Sequence, residues 1–454
     1  MFTVWDFQKD PKNLLTSHEM LGYINGDVAT KFTVQFNLFG GSVMAFHTDR
    51  HLDFISNIDS LTNMGCFCFT ELGYGNNAPK METTAIYDES TQTFTINSPS
   101  VKAQKYWITN GACHANQALV FAQTIVKGKN EGVNCFIVQI REKDMQPSKG
   151  VYIEDMGLKI GLNGIDNGRL TFSNVVVPRT ALLNKLNDVT ADGKFVSEIK
   201  KPSNRFFKVA DRLLSGRLCI SAMNLSSTKA CLYTTLRYMQ QRNGAGPSGN
   251  SDFPILNFQL NHDAIIPFLA RTIVLNLGFN KSKDLFHNPA GRENEIIRRF
   301  CSTKALISWN AGDTARACRE RCGGQTFLEV NRVSDILYGA HSGATAEGDN
   351  SVLMQKIVKD ILADIRAEKH VWPKLTKCPK RGLPSQEDVS DLESLVNLVY
   401  FREHSEVKKI MKTLQQKVMQ EGKPFYDVWM TEIMNDVQTT ALAYAERIML
   451  EGAM

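Results

Sequence analysis

The spacing of apolar residues changes twice along the chain. Before about Met64 the period is helical but broken, with Gly22, Gly26, Gly40 and Gly41 interrupting it. From Gly65 to Pro178 it becomes a series of short runs. Residues 65–70, 83–87, 93–97, 106–109, 118–126, 133–140, 151–154 and 169–177 each read as a strand, and the polar stretch 88–92 marks a hairpin. Many short strands this close together predict an antiparallel sandwich or barrel. Residues 184–204 are polar and charged and read as a connection. From about Val209 the period is helical again, over 209–242, 257–286, 293–321 and 351–367. In the last of these, Leu353, Ile357, Ile361 and Ile365 recur every four residues beside Met354, Val358 and Leu362, which marks one buried face. A Pro/Lys-rich linker, 372–384, precedes two more amphipathic helices, 388–419 and 425–450. The expected architecture is α+β: N-terminal helices (1–63), a β-domain (64–180), a four-helix bundle (205–370) and a helical tail (385–454).

Composition narrows the class. The chain has 454 residues, 43% hydrophobic and 22% charged, which suits a globular protein with a large core rather than a disordered one. The net charge of +5 is too small over this length to argue for a nucleic-acid partner, which needs a clustered basic face. Arg402, Lys408, Lys409, Lys412 and Lys417 fall around one helix and read as a solvated face. No apolar run approaches the ~20 residues of a membrane span. The N-terminus lacks a secretory pattern and the C-terminal Glu451-Gly452-Ala453-Met454 is not a Ser-Lys-Leu address. The ten cysteines have no framework spacing and read as reduced, buried thiols. His47 and His51 are four apart, but no metalloprotease glutamate accompanies them, so they read as surface or interface histidines.

Three patterns can carry chemistry. They are Thr70-Glu71-Leu72-Gly73-Tyr74-Gly75, Lys105-Tyr106-Trp107-Ile108-Thr109-Asn110-Gly111 and Glu347-Gly348-Asp349-Asn350. Each also has a plain reading: a glycine turn, a strand end with a buried tryptophan, and a helix cap supplied by Glu347 or Asp349. Their order changes the weighting. With Glu82-Thr83-Thr84-Ala85, Met156-Gly157-Leu158-Lys159-Ile160-Gly161, Ile165-Asp166-Asn167-Gly168, Ile255-Leu256-Asn257-Phe258-Gln259 and Cys322-Gly323-Gly324, the chain resembles the acyl-CoA oxidase and acyl-CoA dehydrogenase superfamily. The oxidase branch matches best, although Trp107-Ile108-Thr109-Asn110 is more like the dehydrogenase branch.

The resemblance implies FAD held in a homodimer. Thr70, Trp107, Thr109 and Gly111 would line the flavin, and Arg242, Gln259, Gly323 and Gly324 would reach the diphosphate and adenosine of the neighbouring subunit. Glu347 would be the catalytic base and Arg217 would lie near the substrate. The implied reaction is oxidation of acyl-CoA to trans-2-enoyl-CoA in fatty-acid β-oxidation, with electrons passing to O2. One alternative is a dehydrogenase serving an electron-transfer flavoprotein. Another is a non-catalytic subunit of a larger assembly, motivated by ends that look shortened against the family. The family implies a peroxisomal location, with mitochondrion or cytoplasm as alternatives.

Overall fold

The computed structural model describes residues 2–209, 212–289, 291–370, 372 and 391–454. The expected linker 372–384 and the start of the helix expected at 388 lie almost wholly outside the described residues. Contacts divide the chain into two units, Met1–Met223 and Asn224–Met454.

The first unit opens with helices α1 (Asp6–Lys9), α2 (Lys12–Ile24), α3 (Gly26–Phe32), α4 (Gly41–Phe46) and α5 (Leu52–Ser56), with a π-helical segment, Thr33–Gly40, before α4. The strands follow: β1 (Gly65–Cys68), β2 (Thr84–Asp88), β3 (Thr93–Asn97), β4 (Lys105–Thr109), β5 (Gln117–Val126), β6 (Lys129–Gln139), β7 (Val151–Asp155), β8 (Asn167–Phe172) and β9 (Val175–Pro178). They form a six-stranded sheet, β1, β2, β3, β5, β6 and β9, and a three-stranded sheet in the order β4-β8-β7. Phe94, Phe136, Leu170 and Phe172 are fully buried in the core these strands build. A second core, with Phe39, Val43, Ile55, Leu119 and Phe121, joins the helices to the sheet.

Several expectations need correction. The large sheet is mixed, because β1 and β2 each pair with β5 in parallel while the other pairings are antiparallel. The run 169–177 is two strands, broken at Asn174, whose φ of +52° ends the extended backbone. The polar stretch 184–204 contains a hairpin, β10 (Asn187–Val189) with β11 (Phe195–Ser197), and the start of α6 (Pro202–Val209). His51 is buried. Its Nε2 donates to the Thr180 carbonyl at 3.1 Å and its Nδ1 accepts from the Thr48 N–H at 3.1 Å, so it is a capping residue of the core. Among the described free cysteines all are buried except Cys113, which is exposed.

Helix α7 (Arg212–Gln241) contains the boundary between the units. In the second unit it is followed by α8 (Gln259–His287), α9 (Glu293–Arg321), α10 (Val333–Thr345) and α11 (Asn350–Arg366). Helix α9 packs against α8, α10 and α11. Helix α10 was not anticipated. The tail comprises α12 (Leu392–Leu414), α13 (Phe425–Asp427) and α14 (Met434–Glu451), so the expected helix 425–450 is interrupted near Ile433. The tail's basic residues are not simply solvated: Lys409 pairs with Asp436 at 2.7 Å, Arg402 with Glu446 and Lys417 with Glu432. Such exposed pairs, screened by water, add little to stability. No helix among the described residues is long and apolar enough to cross a membrane.

Candidate active site

In the first unit the chain leaves the sheet after β1 and returns at β2, and the excursion carries Thr70-Glu71-Leu72-Gly73-Tyr74-Gly75. It is stapled down by a buried ion pair. Lys105 Nζ lies 2.9 Å from Glu71 Oε1, with both side chains fully buried. The same ammonium donates to the Phe121 carbonyl at 2.7 Å. Glu71 also accepts from the backbone N–H of Glu82 (2.7 Å) and Thr83 (3.0 Å). Burial pulls the Lys105 pKa down, and the Glu71 carboxylate opposes that fall. With so many partners the pair is satisfied, which a buried charge requires.

This staple sets the strand ends beside it. The Thr70 carbonyl accepts from Tyr106 N at 2.9 Å, so Thr70 lies against β4. The pairing of β4 with β8 shifts register between Lys105 and Ile108. Trp107 sits in that irregularity with φ +62° and is 57% exposed, not buried as a plain strand end would have it. Thr109 is half-buried, and its hydroxyl accepts from Asn167 Nδ2 at 3.0 Å. Gly111 is buried; its N–H donates to the Ile108 carbonyl at 3.0 Å and its carbonyl accepts from Arg141 at 3.1 Å, so both backbone groups serve the turn itself. Arg141 also holds the Ala115 carbonyl at 2.8 Å. An apolar-walled cleft of about 700 Å³, lined by Met81, Ile125, Val133 and Phe206 among others, lies beside the return of the excursion. Arg217 belongs to this unit too, half-buried and a turn and a half into α7 rather than at its start.

In the second unit Arg242 is exposed just after α7. Its carbonyl accepts from Ile255 N at 2.8 Å, which brings it beside the segment leading into α8, where Gln259 is the first residue and exposed. Gly323, at φ +66°, and Gly324 follow α9, and a Cβ built on either meets nothing within 4 Å. Glu347 stands just before α11, half-buried, with φ +58°, and Gly348 follows at φ +102°. The helix cap is Asp349, whose carboxylate accepts from Ser351 N (3.0 Å) and Val352 N (3.4 Å). The plain capping reading therefore holds for Asp349 and not for Glu347.

Two anchors escaped the sequence. One is the Glu71–Lys105 pair. The other is Lys304, fully buried on α9, whose Nζ donates to the carbonyls of Ala344 (3.2 Å) and Gly348 (2.7 Å) and to Asn350 Oδ1 (2.9 Å). A lysine among Phe300, Cys301, Ala305 and Leu306 was the available signal, because such a residue is rarely buried without partners.

Comparison with known proteins identifies the family. Residues 66–175 match the family model for the acyl-CoA dehydrogenase middle domain, and residues 211–362 match the model for the acyl-CoA oxidase C-alpha1 domain. Peroxisomal acyl-coenzyme A oxidase 3 of Arabidopsis thaliana is 37% identical over 369 residues, 81% of this chain and 53% of that protein. The chain spans about half the length of the curated relatives it matches. The crystal structure of acyl-CoA oxidase 1 from Yarrowia lipolytica superposes with a TM-score of 0.86 at 24% identity, over 99% of this chain and 70% of that one. Caenorhabditis elegans acyl-CoA oxidase-1, complexed with FAD and ATP, gives 0.78 at 22% identity, over 92% and 64%. The chain belongs to the acyl-CoA oxidase family, within the acyl-CoA dehydrogenase superfamily.

Proposed function

We propose that the chain oxidises an acyl-CoA to the trans-2-enoyl-CoA, with O2 reduced to hydrogen peroxide. The observation that carries this reading is Glu347. It is a half-buried carboxylate on a left-handed turn at the head of a helix, with the turn pinned by a buried ammonium. A carboxylate so held can take the proton α to a thioester. The backbone N–H groups beside it are the chain's candidates for polarising the thioester carbonyl, an effect worth roughly 3–4 kcal/mol per donor.

The residues present suit FAD. The exposed Trp107 offers an aromatic face, and the Thr70 and Thr109 hydroxyls offer polar partners. Gly323 and Gly324 leave a space that any side chain would enter, so backbone N–H groups there can approach a diphosphate, and the exposed Arg242 can fork onto it. FAD, when bound, supplies the acceptor for the β-hydride and hands the electron pair to O2. Gln259 would orient the adenosine end, and Arg217 the substrate. A homodimer suits the exposed apolar row Ile266, Ile273 and Leu277 on α8, and sedimentation at twice the chain mass checks it. The names of the relatives motivate a peroxisomal location, which imaging of the tagged protein tests.

The deciding experiment is anaerobic bleaching. The purified protein should be yellow, an acyl-CoA should bleach it without oxygen, and air should restore the colour promptly. A protein that stays colourless with added FAD, or a yellow one that no acyl-CoA bleaches, overturns the reading. Slow recovery in air would favour the dehydrogenase alternative, which the Trp107-Ile108-Thr109-Asn110 stretch supports.

A further inference from the structure

Lys304 is the residue whose placement asks most of the fold. Its ammonium is removed from water entirely, an arrangement that is costly unless its donors are matched. An ammonium has three N–H donors, and its acceptors include Ala344 O, Gly348 O and Asn350 Oδ1, at 3.2, 2.7 and 2.9 Å. All three lie on one short segment, and they flank Glu347 on both sides. The segment is tied to α9 a second time. Asn350 Nδ2 donates to Ser308 Oγ at 2.9 Å, and Ser308 Oγ in turn donates to the Lys304 carbonyl at 2.8 Å. Lys304 and Ser308 are one helical turn apart, so a single face of α9 grips residues 344–350 at several points.

The grip coincides with strain. A non-glycine residue at φ +58° is disfavoured and persists where its surroundings over-determine it. Glu347 is such a residue, and the carbonyl of the next one, Gly348, is the acceptor nearest the ammonium. Freed from the clamp, the turn could relax toward an ordinary helical start, and the carboxylate would move with it.

We propose that Lys304 is a positioning residue, a buried cation that fixes the strained turn so that Glu347 is presented for proton abstraction. The inference rests on Glu347 being the base. It also requires a lysine in particular, because an apolar side chain of equal length would fill the space and leave three acceptors without a donor.

The test is Lys304→Met in the full-length, FAD-loaded protein. The flavin spectrum and the half-saturating acyl-CoA concentration should be unchanged, while the anaerobic bleaching rate at saturation falls about 100-fold, as a misplacement near 1 Å would cause. Amide hydrogen exchange at residues 346–350 should quicken, and Lys304→Gln, which retains a donor, should recover part of the rate. Bleaching within about threefold of the unmodified rate, a loss confined to half-saturation, or unchanged exchange at 346–350 would overturn the proposal. Should Lys304→Met not fold, Asn350→Ala removes one acceptor and leaves the ammonium in place. A drop of about 10-fold is then expected, and an unchanged rate would overturn the idea. If the unmodified protein does not bleach with any acyl-CoA, the oxidase reading fails on its own. The exchange measurement still decides the clamp, faster exchange supporting it and unchanged exchange removing it.

Discussion

Glu347 and Asp349 are two carboxylates two residues apart with different work. Asp349 is occupied by the first N–H groups of α11, and removing it costs the helix a cap. Glu347 sits ahead of it on a left-handed turn that only a defined tertiary setting maintains. Glu347→Gln should therefore fold and hold FAD while its anaerobic bleaching rate falls by about 10²–10⁴-fold, the range of a lost general base; bleaching near the unmodified rate would remove it from that role. At this scale the sequence was informative where chemistry is written in consecutive residues. The motifs around Thr70, Trp107 and Glu347 could be found by reading along the chain. Lys304 and Lys105 could not be interpreted that way, because their partners are 40–46 and 16–34 residues away in sequence and meaning comes only with the pairing.

Several elements were legible from their periodicity. The strand 93–97 and the helix 293–321 fall where alternation and the 3.6-residue repeat place them. Strand direction was not legible, since parallel and antiparallel neighbours use the same alternation, and β1 and β2 turned out parallel to β5. Helix α10 was not read from the sequence, although Val333, Ile336, Ala340 and Gly343 form a buried stripe at helical spacing. Packing adds constraints that no period reveals. At the first residue of β1, a Cβ on Gly65 would lie 2.1 Å from the Phe39 ring, a fully buried side chain. Gly65→Ala must push that ring or the strand aside, and a loss of about 1–3 kcal/mol is expected. Urea unfolding measures it as a lower midpoint at unchanged slope.

The stability of the molecule as a whole should depend on acidity through a buried histidine of α2. His18 is fully buried, its Nδ1 2.7 Å from the Leu14 carbonyl and its Nε2 2.7 Å from the Thr33 hydroxyl. Burial lowers its pKa to about 4 from an ordinary 6.5. Between those values the unfolded chain binds the proton and the native one does not, so stability rises with pH. The contribution is complete above about pH 6.5 and lost as pH falls through about 4, a span of about 3 kcal/mol. Denaturant midpoints measured from pH 7 to 4 should fall more steeply than those of His18→Gln, and parallel curves would assign the acid sensitivity elsewhere.

Both ends of the excursion between Cys68 and Thr84 are laid along the same neighbour, β5, and cross-tied by Glu71 and Lys105. The register of the sheet is consequently indifferent to what happens in between. Gly75 and Asn76, both exposed at the tip of the excursion and with open space beside Gly75, form the one stretch of it whose lettering can be varied while the scaffold beneath keeps its alignment.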